Sequence, residues 1–236
     1  MYDLNKTIVG VSAIMTLAAA ASGDITGAYT YNYSVTAADF DGSDVTVNIQ
    51  DLYLSSDDAN DTVLNVFNYS ASSTAATSYF QSFTGTGWQP TNLGGPFDTP
   101  ALRAADSFVT IGGFAQDTLA PEQAPGAGAG TGLDPNFGGN NASSPGENAG
   151  WYNGSPPSLN GQVGQVANTD GGLSLGVLIG RFAFAGDFDI IGSTLEVTWN
   201  QGLGSPGNQE GFTVVPAPGA LALLGLAGLS GRRRRG

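Results

Sequence analysis

The chain has 236 residues, of which 41% are hydrophobic, 11% are charged and 36 are glycine, and it contains neither cysteine nor histidine. Those two absences exclude disulfides, thiolate nucleophiles, imidazole general bases, and cysteine or histidine ligation of zinc or haem, because the donor atoms do not exist. Of the 20 acidic residues, 19 lie in residues 22–215 with only Arg103 and Arg181 as cations, so this stretch repels nucleic-acid phosphates and has no lysine for a Schiff base.

The first predicted element is an export signal. Lys6 and the amino terminus make a positive start, residues 8–21 are an unbroken run of apolar or small side chains, and Ala19, Ala20 and Ala21 supply the small residues a signal peptidase requires. The run falls short of the roughly 20 residues that a bilayer-spanning helix needs. Residues 1–21 are therefore expected to be a secretory signal peptide cut after Ala21, with a cut after Gly23 as the alternative.

Residues 22–213 form the expected folded body. Tyr29, Tyr31, Tyr33 and Val35 alternate with Thr30, Asn32, Ser34 and Thr36, the period of two that gives a strand one buried face. Val45, Val47 and Ile49 repeat the pattern after Asp41 and Gly42, which makes a hairpin the simplest connection. Further strands are expected at 52–54, 63–69, 79–83, 108–111, 173–184, 194–200 and 212–215. Thr, Ser, Asn and Gly fill the solvent-facing positions, which suits strands and not helices. About eight or nine short strands in one stretch predict an all-β fold, an antiparallel β-sandwich with a jelly roll as one form of it. Without disulfides, burial of the aromatic side chains, 10% of the chain, has to hold the sheets together.

The segment 121–172 breaks this rhythm. It is so rich in Gly and Pro that few side chains remain to offset ordering entropy, and a long loop is expected. Trp151 and Tyr152 stand out in it, either pinning the loop to the body or offering a stacking face to a sugar.

Two acidic clusters hint at chemistry. Asp39, Asp41 and Asp44 fall within six residues, and Asp57, Asp58 and Asp61 surround Asn60, spacings at which hard oxygen ligands suit Ca2+. Neither follows the order of an EF-hand loop, since Gly42 stands fourth where sixth is needed and no Glu stands twelfth. Turn chemistry explains the same residues more simply: Asp-Gly favours a hairpin turn, and Asp side chains accept from nearby amides. Carboxylate-pair hydrolysis requires two facing carboxyl groups roughly 5–9.5 Å apart. Asp187, Asp189, Glu196, Glu147 and Glu122 are available, but no spacing selects a pair, and no enzymatic activity is expected. Arg181, between Gly180 and Phe182 in an apolar run, is expected to form a partly buried pair with a carboxylate, and Arg103 to anchor another.

The last segment, 214–236, has three parts in order. Val214, Val215, Pro216, Ala217 and Pro218 should end any strand arriving from the body, because proline lacks an N–H and restricts the residue before it. Residues 219–231 are apolar or small, and as a helix they rise about 20 Å, short of the ~30 Å hydrocarbon core. Arg232, Arg233, Arg234 and Arg235 follow, a cluster that stays cytoplasmic and puts the body across the membrane. This order resembles the bacterial PEP-CTERM sorting signal, in which a Val-Pro-Glu-Pro type motif, a short apolar helix and a terminal arginine cluster are recognised by exosortase, a membrane protease cutting near the motif. The resemblance is confined to residues 214–236, with Ala217 in place of the Glu and Gly219 after the second proline. It implies an exported, non-enzymatic protein of the cell envelope or extracellular matrix. Signal peptidase and an exosortase-like protease would be its processing partners, and the chain would sit transiently in the inner membrane before release. The alternative reading is a polysaccharide-binding β-sandwich, Ca2+-dependent in one form; no other cofactor is expected.

Overall fold

A computed structural model describes residues 23–38, 43–81, 87–89, 105–112, 131–154, 161–168, 172–202 and 204–216. The expected signal peptide with Ala19 and Ala21, the tail from Ala217 and Pro218 to the four arginines, and Asp39, Asp41, Arg103 and Glu122 lie outside the described residues.

The alternating stretches become ten strands: β1 (Ile25–Ala38), β2 (Asp44–Ser56), β3 (Thr62–Ser70), β4 (Phe108–Val109), β5 (Thr131–Leu133), β6 (Ala149–Asn153), β7 (Gly164–Ala167), β8 (Leu173–Phe184), β9 (Thr194–Asn200) and β10 (Asn208–Pro216). The fold is all-β, as the strand patterns predicted. In place of two antiparallel sheets, the strands form one mixed sheet nearly closed into a barrel, in the order β4-β8-β2-β1-β10-β9-β3-β6-β5 with β7 also on β8.

Two junctions explain why two sheets become one. The end of β10 runs parallel to the start of β1, pairing Ala28 with Val214, Tyr29 with Val215 and Thr30 with Pro216. On the far side, residues 161–163 lie along β3: Val63 N donates to Gly161 O at 2.8 Å, and Val163 N donates to Asp61 O at 2.9 Å. The same segment then continues as β7 along β8. The prolines therefore end β10 one step later than expected, since Pro216 takes the last strand position, where a missing N–H costs little.

The interior is aromatic. Phe182 stacks on Tyr69 with ring centroids 5.9 Å apart and meets Tyr79 edge-on at 5.6 Å. Trp88, Trp151 and Trp199 are all buried around them. A bulge makes this density possible. Leu52 pairs with Gly180 but Tyr53 pairs with Leu178, so Val177 and Ile179 face inward before the extra residue, and Phe182 and Phe184 after it.

The tyrosine stripe of β1 lies in a second layer, Tyr29 buried and Tyr31 and Tyr33 half-buried. Tyr29, Tyr53, Phe108, Val166 and Leu178 form one cluster there, and Val35, Val47, Ile49, Ala105 and Ala183 form another, with Phe80 packed on it. Ala28, Leu52 and Leu54, on the opposite face, line the main interior.

The segment 121–172 departs from the expected long loop. It contributes β5, β6, β7 and one 3-10 turn, Pro135–Phe137, where the Asp134 side chain caps the turn by accepting from Phe137 N. Buried Phe137 and Trp151 supply the apolar area that the composition seemed to lack. Glycines at positive φ, Gly138 at 91° and Gly139 at 93°, make the turns between them. The strand expected at 79–83 is absent from its described residues, 79–81, where Tyr79 serves as a core aromatic instead.

Candidate functional site

The β1–β2 hairpin outruns its neighbour. Its pairing continues to Ala38 and Asp44, whereas β8 leaves β2 at the Asn48–Phe184 pair. The face that buries Leu52 and Leu54 turns polar beyond that point, where no strand among the described residues covers it. There Ser34 Oγ donates to Asn48 Oδ1 at 3.0 Å, and the Thr36 and Thr46 hydroxyls meet at 2.8 Å. Residues 185–190 fold back against this floor and leave a groove of about 490 Å³, lined by Asn32, Ser34, Asn48, Gln50, Asp187 and Phe188.

The wall of the groove is firmly tied down. Gly186, at φ 99°, offers its carbonyl to Asn48 Nδ2 at 2.8 Å. Gln50 Oε1 accepts from Ile190 N at 2.9 Å. Asp189 Oδ1 accepts from Ile191 N at 2.7 Å and Gln50 Nε2 at 3.3 Å. The Asp189 backbone joins the 72–74 turn, donating to Thr74 O and accepting from the hydroxyls of Ser72 and Thr74, all at 3.1 Å. Phe188 sits edge-on to Phe184 of the core, ring centroids 5.9 Å apart, and is 44% exposed. Asn32 and Asp187 spend no side-chain hydrogen bond on any described residue. The groove thus presents one apolar ring face, a free amide, a free carboxylate and rows of hydroxyl and amide groups, with no cation among its lining residues.

Of the residues singled out by sequence, Asp187 and Asp189 line the groove, and the others among the described residues fall elsewhere. Trp151 is fully buried, 5.9 Å from Tyr69 and 6.2 Å from Phe137 by ring centroid, with Nε1 donating to Thr110 O at 3.1 Å. It pins its segment and has no face left for a sugar. Tyr152 points the other way, 45% exposed, its ring lying over Gly132 of β5.

Asp57, Asp58 and Asp61 spend oxygens on local donors. Asp57 Oδ1 accepts from Asp24 N at 2.7 Å, Asp58 Oδ1 from the backbone and side-chain amides of Asn60 at 2.8 Å each, and Asp61 Oδ2 from Ser56 Oγ at 2.8 Å. Burial raises the Asp61 pKa, hydrogen bonds from Ser56 and Gln201 pull it back, and the charges of Asp58 and Asp57 push it up again. Such a group works as a turn clasp. Asp44 is exposed at the start of β2, and no cluster of three or more acidic side chains among the described residues is arranged to hold a metal ion.

Arg181 does find its carboxylate, Asp51, and the pair is wholly rather than partly buried. Glu196 is engaged by two amides, Asn68 Nδ2 at 2.9 Å and Gln209 Nε2 at 3.0 Å. Glu147 is exposed.

The groove was missed by sequence reasoning, which followed the tyrosines of β1 and ignored their polar alternates. Its signal was nonetheless present: Asn32, Ser34 and Thr36 on one strand, Thr46 and Asn48 on the next, and an aromatic between two aspartates at 187–189. The chain matches no protein-family model, no curated protein and no solved structure. No helix among the described residues is long and apolar enough to cross a membrane.

Proposed function

We propose that the chain is an exported, non-enzymatic protein of the cell envelope or extracellular matrix, led across the membrane by residues 1–21 and sorted through residues 214–236. The observation that carries this reading is the ordered tail: the prolines at 216 and 218, the apolar stretch and the four terminal arginines, in the sequence of a PEP-CTERM-like signal. The fold supports it in one respect. The sheet begins at Ile25 and its last strand ends at Pro216, so removing residues 1–21 and cutting beyond Pro216 would leave all ten strands intact.

The case against an enzyme rests on composition and geometry together. The chain lacks histidine and cysteine, and two of the carboxylates considered for hydrolysis, Asp189 and Glu196, are occupied as hydrogen-bond anchors. Intact mass of the protein isolated from its own cells tests the sorting. The expected species starts at Ser22 and ends just after Pro216; a mature chain that keeps Arg232, Arg233, Arg234 and Arg235 contradicts processing. A second reading, a polysaccharide-binding module, is favoured by the polar groove rather than by Trp151.

A further inference from the structure

We infer that the groove between the β1–β2 hairpin and residues 185–190 binds a neutral polysaccharide chain, a site that rests on the polysaccharide-binding reading and moves it to defined residues. Three features lead there. The first is Phe188, the one exposed phenylalanine among the described residues. Its ring is fixed by the edge contact with Phe184 and by the bonded wall around it, so it forms a standing apolar platform. A pyranose ring offers a C–H face that stacks on such an aromatic, with the hydroxyls directed to the sides.

The second feature is the set of polar groups beside that platform. Asn32 has an amide and Asp187 a carboxylate with no partner among the described residues. An amide both donates and accepts and a carboxylate accepts twice, which suits neighbouring hydroxyls that each do both. The floor then continues along the strands through Ser34, Asn48, Thr36 and Thr46. Together these rows make an elongated polar track along the two strands, which suits a linear polymer better than a single sugar. Because the wall is already tied down, little ordering entropy opposes binding.

Charge sets the third feature. Asp187 and Asp189 are the charged residues of the lining, and neither arginine nor lysine is among it. Uronates, sulfated glycans and phosphate polymers would face uncompensated repulsion, so the ligand is not anionic and a neutral chain fits.

The test is calorimetric titration of the full chain with neutral hexasaccharides (cellohexaose, mannohexaose, galactohexaose) and with an oligouronate of the same length. Binding of at least one neutral oligomer is expected. Phe188→Ala and Asn32→Ala should each weaken it by about tenfold or more, a loss of ~1.4 kcal/mol, at an unchanged melting temperature. Asn32→Ala keeps the test valid if Phe188→Ala loosens the 185–190 wall. The inference is overturned if no neutral oligomer binds, if the oligouronate is preferred, or if both variants bind as the parent does. Neutral binding that survives both variants but is lost in Tyr152→Ala would remove the groove and keep the module reading. Absence of all binding would remove both and leave the sorting reading untouched.

Discussion

Arg181 donates Nε to Asp51 Oδ1 at 2.7 Å and Nη2 to Asp51 Oδ2 at 3.0 Å, and neither side chain is exposed to solvent. The pair lies in the tyrosine layer outside the main core: Tyr33 donates its hydroxyl to Asp51 Oδ2 at 3.0 Å, and the rings of Phe108 and Tyr33 lie 5.3 Å and 5.9 Å from the guanidinium carbon. Burial works against the guanidinium charge, but the Asp51 carboxylate, by charge and by hydrogen bond, outweighs it and holds the Arg181 pKa above its ordinary value.

This pair gives the first prediction. Arg181→Met leaves a buried carboxylate with a tyrosine hydroxyl for company, and should cost about 3–5 kcal/mol in urea unfolding. Asp51→Asn should be similarly costly. The double variant Arg181→Met, Asp51→Leu removes both charges and should recover most of the loss, because the pair repays little more than its own desolvation. A double variant as unstable as the worse single one would show that the bidentate geometry contributes net stability.

Alkaline pH supplies a second. Burial pushes the Tyr69 hydroxyl up to about 12. Burial likewise raises Tyr79, Tyr53 and Tyr33, with the charge of Asp51 adding to the last two and that of Arg181 opposing it. Each group is an acid whose folded pKa exceeds its unfolded value near 10, so the folded state holds protons that the unfolded state releases. Their contribution is full below about pH 10 and declines as pH rises through about 12. Tyrosinate absorbance should therefore rise cooperatively with loss of circular dichroism. A smooth rise that precedes unfolding would show these hydroxyls to be reachable by hydroxide.

A third compares two neighbours on β6. Trp151→Ala should cost about 3–5 kcal/mol, the range for deleting a buried aromatic, because it empties the space beside Tyr69 and Phe137 and frees Thr110 O. Tyr152→Ala removes an exposed ring over Gly132 and should cost about 1 kcal/mol or less. Denaturant midpoints of the two variants check the contrast. Equal losses would mean that Tyr152 also belongs to the core.

Those two residues also show how far the sequence could be read. Period-two alternation located β1, the first part of β2 and β9, and apolar runs located β3 and β8, the last of which is buried on both faces and so shows no period. The apolar neighbours of Arg181 pointed to a partly buried ion pair, and the pair is wholly buried. The three-residue β5 and four-residue β7 are too short to show a period, and Trp151 in a Gly-rich stretch looked like an isolated anchor. Closure of the sheet depends on Val214 meeting Ala28 and Val163 meeting Asp61, contacts between distant residues that no local pattern records. The groove was hidden for a related reason: it forms only because β1 and β2 outrun β8, and strand lengths are a property of the assembled sheet.

The closing segment yields the last prediction. Gly161 sits at φ 81°, and a Cβ there would run into Val63 O and lie 2.7 Å from Ile111 Cγ2. Its own carbonyl accepts from Val63 N, so it cannot move away without breaking the link between β3 and β7. Gly161→Ala therefore incurs the backbone cost of a left-handed conformation, about 1–2 kcal/mol, together with that clash. Gly139 is the control, since it has φ 93° and nothing within 4 Å of an added Cβ. Gly139→Ala should incur the backbone cost alone. The stability difference between the two variants measures what closure contributes, and hydrogen exchange locates it: the Val63 and Val163 amides should lose protection in Gly161→Ala and keep it in Gly139→Ala. Equal stabilities and intact protection would mean that the barrel closes without the 161–163 link.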